Sequence, residues 1–116
     1  MSGARSRTKG NDAERAVVRY LRSCGYQLAT TSRNANAGKQ FGEDVIGVPG
    51  VSLEVKNRRD LQIGSALTQA TIAGGPGKIP VVVAKPIGVG MDDVDRWWSF
   101  TWFSEMVQLF PKWGEL

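Results

Sequence analysis

Apolar and polar positions along the chain change period several times, and each change marks an element. Ala13, Ala16, Val17, Tyr20, Leu21 and Cys24 fall at the i, i+3, i+4, i+7, i+8 spacing of one helical stripe. Asn11 or Asp12 is a candidate N-cap and Gly25 stands at the C′ position. Arg15, Arg19 and Arg22 fall on the opposite face, where solvation is expected. Residues 26–31 read as a first strand, followed by the polar loop "SRNANAGKQFG". "EDVIGVPGVSLEVKNRR" then reads as a hairpin, with Val51, Leu53 and Val55 alternating with Ser52, Glu54 and Lys56.

The hairpin's turn, "VPG", decides which side chains share a face. A three-residue loop with Gly50 left-handed sets Asp44 opposite Glu54 and sends Val45 to the apolar face with Leu53. It also points Glu43 to that apolar face. A two-residue loop would set Asp44 against Val55, on the other side.

Residues 61–73 have a helical pattern that "GGPG" ends. "IPVVVAKP" is a continuous apolar run between prolines and reads as a buried interior strand. In "DRWWSFTWFSEMVQLF" the first half alternates like a strand, and residues 103–110 read as a short helix. The expected order is α, β, β, β, α, β, β, α: a single α/β domain with a central mixed sheet flanked by helices. Residues 1–10 lack periodicity and read as a mobile basic arm in front of a domain spanning 11–116.

The 116 residues suffice for one core. No apolar run approaches the ~18 residues of a membrane span, so no membrane partner is expected. The basic N-terminus lacks a following apolar block, so no secretory signal is expected. The single cysteine, Cys24, excludes an intrachain disulfide and favours an intracellular setting. The chain contains no histidine, which removes Ser–His and Cys–His nucleophilic schemes and disfavours zinc. A catalytic metal would need oxygen ligands, as magnesium or manganese do.

Net charge is +4, unevenly spread. Residues 1–40 hold eight Lys/Arg against two acids, and 41–116 hold seven against nine. A basic N-terminal third fits a polyanion such as nucleic acid, or simply a solvated tail and helix face.

Asp44 and Glu54 on one sheet face repel each other unless a cation lies between them, and Lys56 stands two residues further on. A divalent ion there would polarise a phosphoryl oxygen, beside an ammonium able to stabilise developing charge. Against this stand an exposed cross-strand ion pair for Glu54 and Lys56 and a turn-adjacent surface carboxylate for Asp44. Glu14, at the margin of the helical stripe, is either a third acid of the site or N3 of the capping box Asn11-x-x-Glu14.

Taken together, Asp44, "EVK" and the preceding Glu-bearing helix resemble the PD-(D/E)XK nuclease superfamily. "KGNDAERAVVRYLRSCGY", "LEVKNR", "TQATIAGGPGKIPVVVAKP" and "RWWSF" are similar to the opening, catalytic strand, glutamine helix with apolar strand, and late Trp strand of archaeal-type Holliday junction resolvases. The likeness spans roughly residues 9–100. Glu43 stands where the superfamily's name has proline, which makes it a competitor to Asp44.

The resemblance implies a restriction-endonuclease-like αβββαβ core. It also implies magnesium, with manganese possible, held by Asp44, Glu54, the Val55 carbonyl and Glu14. Lys56 would be the catalytic lysine, Ser32 would approach the scissile phosphate and Gln69 would stand near the site. Arg5, Arg7, Lys9, Arg33, Lys39, Arg58 and Arg59 would hold DNA phosphates. The implied substrate is branched double-stranded DNA, a four-way junction or a flap, cut by a homodimer. A non-catalytic DNA-binding module is the competing class. The aromatic C-terminal third is either the dimer surface or a terminal helix docked on its own core.

Overall fold

A computed structural model describes residues 2–35 and 43–115, with side chains from 9 to 35 and 43 to 114. Helix α1 covers Ser2–Ser23. Strands β1 (Thr30–Thr31), β2 (Val45–Ile46) and β3 (Val51–Lys56) follow. Helix α2 (Ile63–Gly74) leads to β4 (Ile79–Ala84), then come β5 (Trp98–Phe100) and helix α3 (Phe103–Leu109). The five strands form one sheet in the order β1-β2-β3-β4-β5. Only β3 and β4 run parallel, because α2 is the crossover between them; the other neighbours are antiparallel. The result is a single α/β domain with a mixed sheet and the expected element order.

Two apolar layers sandwich the sheet. Ala13, Ala16 and Val17 of α1 pack on Val45, Leu53 and Val55, with Trp97 closing the cluster. On the other face Ala66, Leu67 and Ala70 of α2 pack on Val82. The alternation of β3 therefore has one face toward each helix, and Ser52, Glu54 and Lys56 occupy the face opposite α1. Ser52 confirms this by donating from its Oγ to the Ala70 carbonyl of α2, 2.8 Å away.

Helix α1 departs from expectation at its start. It begins at Ser2, inside the segment read as an arm, so Asn11 and Asp12 are interior positions rather than caps. Residues 2–9 contain no glycine beyond Gly3 and no proline, and once the Ala13–Leu21 stripe is packed each further turn adds hydrogen bonds without new nucleation. The capping-box account of Glu14 falls with the cap. The far end is as expected: Gly25 has φ +104°, and the N–H groups of Gly25 and Tyr26 bond the carbonyls of Arg22 and Leu21 as a Schellman closure.

That closure also shortens the first strand. Residues 26–29 turn back, with the Ala29 N–H on the Tyr26 carbonyl, and only Thr30–Thr31 pair with β2. Leu28 is left exposed. Arg22 ties this turn to the helix by donating from Nε to the Ala29 carbonyl at 2.9 Å, so it is not simply solvated. Among the described residues, no helix is long and apolar enough to cross a membrane.

Candidate active site

The hairpin register brings the acids together. Val45 pairs with Leu53, the register that a three-residue Val48–Pro49–Gly50 loop predicts, and Gly50 has φ +77°. Just before β2, the Asp44 N–H also bonds the Leu53 carbonyl, 3.0 Å away. Two consecutive residues thus address one, as at a β-bulge, which re-aims side chains at a strand end. Asp44 Oδ2 accepts the Val55 N–H at 2.8 Å. Its carboxylate is thereby fixed alongside the Glu54–Val55 peptide.

Glu54 is the unusual residue. It is 1% exposed, and neither carboxylate oxygen has a hydrogen-bond partner. Burial first, then the negative charge of Asp44 and a hydrogen bond that the protonated form makes to the Asp44 carboxylate, push its carboxyl up to about 8, with Lys56 pulling the other way. A buried acid ordinarily finds donors. Here the surroundings offer the like charge of Asp44 instead, which favours the protonated form of the acid.

Glu14 reaches the same field from α1. Its carboxyl is also raised, by burial and then by the charge of Asp44. Arg33 offsets this with an Nη1 contact at 3.3 Å. Arg33, expected as a phosphate contact, is therefore engaged with a site acid across the turn after β1.

Lys56 lies half-buried at the end of β3 and donates to Gln69 Oε1 of α2 at 3.2 Å. The helix crossover thus sets Gln69 beside the lysine, and the two close one end of a small cavity with Ser65 and Arg58. On the α1 side a larger cleft of about 680 Å³ is lined by Glu14, Asp44, Val55, Lys56 and Arg59 among others. Lys9 and Arg58 also line it.

Two sequence expectations change. Ser32 is buried, with its hydroxyl donating to the Glu43 carbonyl and its N–H to the Asp44 carbonyl. It braces the segment entering β2 and does not open onto the cleft, because its hydroxyl is consumed by the backbone. Glu43 is not turned into apolar packing: its buried carboxylate meets Lys78 Nζ at 3.1 Å. That ion pair commits Glu43 elsewhere and leaves Asp44 as the acid beside Glu54.

Lys39 lies outside the described residues, and so do the side chains of Arg5 and Arg7. Lys85, which the sequence reading passed over, stands next to the cleft because β3 and β4 are parallel and end together. Its position depends on strand order, which no local pattern encodes.

Among the described residues no group of three or more His, Cys, Asp and Glu side chains is placed to hold a metal ion. The ligand set implied by the resemblance includes Glu14, which is not grouped with Asp44 and Glu54 in that way; Asp44, Glu54 and the Val55 carbonyl remain, and the orphaned buried oxygens of Glu54 fit that smaller set. No protein-family model, curated protein or solved structure matches this chain.

Proposed function

We propose that the chain is a magnesium-dependent, structure-selective endodeoxyribonuclease of the PD-(D/E)XK type, and that it resolves four-way DNA junctions. The observation that carries the reading is Glu54: a fully buried, unpartnered carboxylate beside Asp44, with an ammonium next to it and cations lining the adjoining cleft. A structural acid would be paired, and an exposed ion pair would not be buried.

Asp44, Glu54 and the Val55 carbonyl would hold the ion, with Glu14 in reserve. When bound, magnesium, or manganese in its place, supplies a water of lowered pKa and a polarised phosphoryl oxygen. Lys56 donates to the oxygen on which charge develops, and Gln69 holds that lysine in position. Glu14, with its raised carboxyl, is suited to take the proton released by the attacking water. Lys9, Arg58 and Arg59 contact phosphates without reading sequence, which suits an enzyme that selects shape.

Resolution requires two cuts in symmetry-related strands, so the active form is a homodimer. Phe103 and Val107 form an i, i+4 stripe on α3 and Phe110 follows at its C-cap, and all three are exposed. No residue of α3 is fully buried, though Glu105 and Met106 are half-buried and Trp102 at its N-cap donates to Thr71 of α2. That stripe is the surface best suited to a second copy.

The deciding experiment is cleavage of a synthetic four-way junction with magnesium by the wild type and Glu54→Gln. The variant should lose at least about a hundredfold in rate while binding the junction unchanged. Equal cutting by the variant would remove the site. Cutting of flaps with intact junctions would keep the chemistry and change the substrate. Binding without cutting by the wild type would favour a non-catalytic DNA-binding module.

A further inference from the structure

We infer that the groove at the exit of β4 is a subsite for one phosphodiester and one unstacked base, so that the nucleic acid taken by this cleft presents an unpaired nucleotide, as at the opened centre of a four-way junction, next to the reacting phosphate. The inference deepens the proposed nuclease reading and rests on it for the location of the reacting phosphate.

The groove, of about 350 Å³, adjoins the catalytic cleft and shares Lys9, Arg58 and Arg59 with it. Its remaining walls come from the loop after β4, chiefly Lys85, Ile87 and Met91. No acid lines it. Arg58 is paired with Asp60 at 3.3 Å, whereas Lys9, Arg59 and Lys85 have no side-chain partner among the described residues. Three such cations lining one acid-free groove match the phosphodiester backbone in sign.

The geometry follows from the sheet. Lys85 donates its N–H to the Lys56 carbonyl at 3.0 Å, so the two lysines sit on adjacent parallel strand ends.

Ile87 supplies the second half of the argument. It is 74% exposed at a turn in which the Val89 N–H bonds the Pro86 carbonyl and Gly88 has φ +85°. A β-branched apolar side chain held out at a turn tip, with cations opposite and half-buried Met91 as the floor, makes an amphipathic groove. Its apolar wall fits the face of a base that has left its stack, and a paired duplex offers no such face. The apolar wall distinguishes a nucleotide from a simple anion.

The test is equilibrium binding of the full chain without divalent metal, between about 50 and 200 mM salt. The probes are a fluorescent blunt duplex, the same duplex with a single-stranded tail, and a single strand. Lys85→Ala should reduce the slope of log K against log salt by about one on every probe, and Lys85→Arg should restore it. Ile87→Ala should weaken the tailed duplex and single strand about fivefold and leave the blunt duplex unchanged.

An unchanged slope for Lys85→Ala in a protein with wild-type circular dichroism overturns the phosphate contact. Equal effects of Ile87→Ala on all three probes overturn the base contact. Because no metal is present, loss of cleavage by the wild type would defeat the nuclease reading without touching these outcomes.

Discussion

Asp44 and Val55 are joined by a 2.8 Å hydrogen bond from backbone N–H to carboxylate, and this bond holds a second negative charge against buried Glu54. The two effects of Asp44 on stability oppose each other: it satisfies an amide, and it repels an acid. Asp44→Asn keeps an acceptor oxygen and removes the repulsion, whereas Asp44→Ala removes both. In metal-free protein above about pH 8, where Glu54 is ionised, the Asn variant should be at least as stable as wild type. The Ala variant should be less stable than Asn by about 1 kcal/mol. Urea denaturation of the three proteins measures this, and an Asn variant much weaker than wild type would show that the repulsion is absent.

The raised carboxyl of Glu54 makes a prediction about pH. A folded-state pKa near 8 against an ordinary value of 4.5 means that the folded protein binds the proton more tightly than the unfolded chain. Stability from this group is fully present below pH 4.5 and is lost as pH rises through about 8. Glu14 is shifted in the same direction and adds to the trend. Metal-free wild type should therefore lose several degrees of melting temperature between about pH 5 and pH 8, and Glu54→Gln should lose much less. Magnesium should reverse the loss at pH 8 in the wild type alone, since a ligand that binds only the folded state stabilises it.

The Glu43–Lys78 pair carries a different liability. Glu43 is almost wholly buried and Lys78 is its ion-pair partner, reaching from the start of β4. Removing the cation leaves a buried charge alone, and such changes cost about 3–5 kcal/mol. Lys78→Met should fall near the lower end of that range, because the lysine is itself partly exposed. Glu43→Gln with Lys78→Met should recover most of the loss. Chemical denaturation of the single and double variants decides it, and an additive result would mean that the pair is not coupled.

Local pattern and non-local contact divide what was legible in the sequence. The helical stripe from Ala13 to Leu21, the Gly25 stop and the hairpin register could be read because each is fixed by neighbouring residues: periodicity, a left-handed glycine, a loop length. The start of α1 and the length of β1 could not. Residues 2–9 carry no apolar period, and the pattern after Gly25 cannot distinguish a strand from a turn closed by Arg22. At the site, the adjacency of Asp44, Glu54 and Lys56 followed from strand alternation. The roles of Ser32, Arg33 and Glu43 did not, because their partners Glu43, Glu14 and Lys78 are 11, 19 and 35 positions away. Lys85 was invisible for the same reason, since only the parallel pairing of β3 with β4 brings it to the cleft.

Gly74 tests how closely that crossover must pack. A Cβ at Gly74 would lie 2.5 Å from Ser52 Cβ and 2.9 Å from Ser52 Oγ, against a backbone-anchored side chain that cannot swing aside. Ser52 is fully buried and already donates to the Ala70 carbonyl one turn earlier in α2. Gly74→Ala must therefore lift the end of α2 from β3, and the same helix carries Gln69 to Lys56. The expected cost is about 1–3 kcal/mol, despite alanine's better helix propensity. If the clash with Ser52 is the cause, Gly74→Ala should cost at least about 0.5 kcal/mol less in a Ser52→Gly background, in a double-mutant cycle read by denaturant unfolding. Equal costs in the two backgrounds would assign the effect to Lys78 Cβ, 3.2 Å from the same point, rather than to the helix–strand contact.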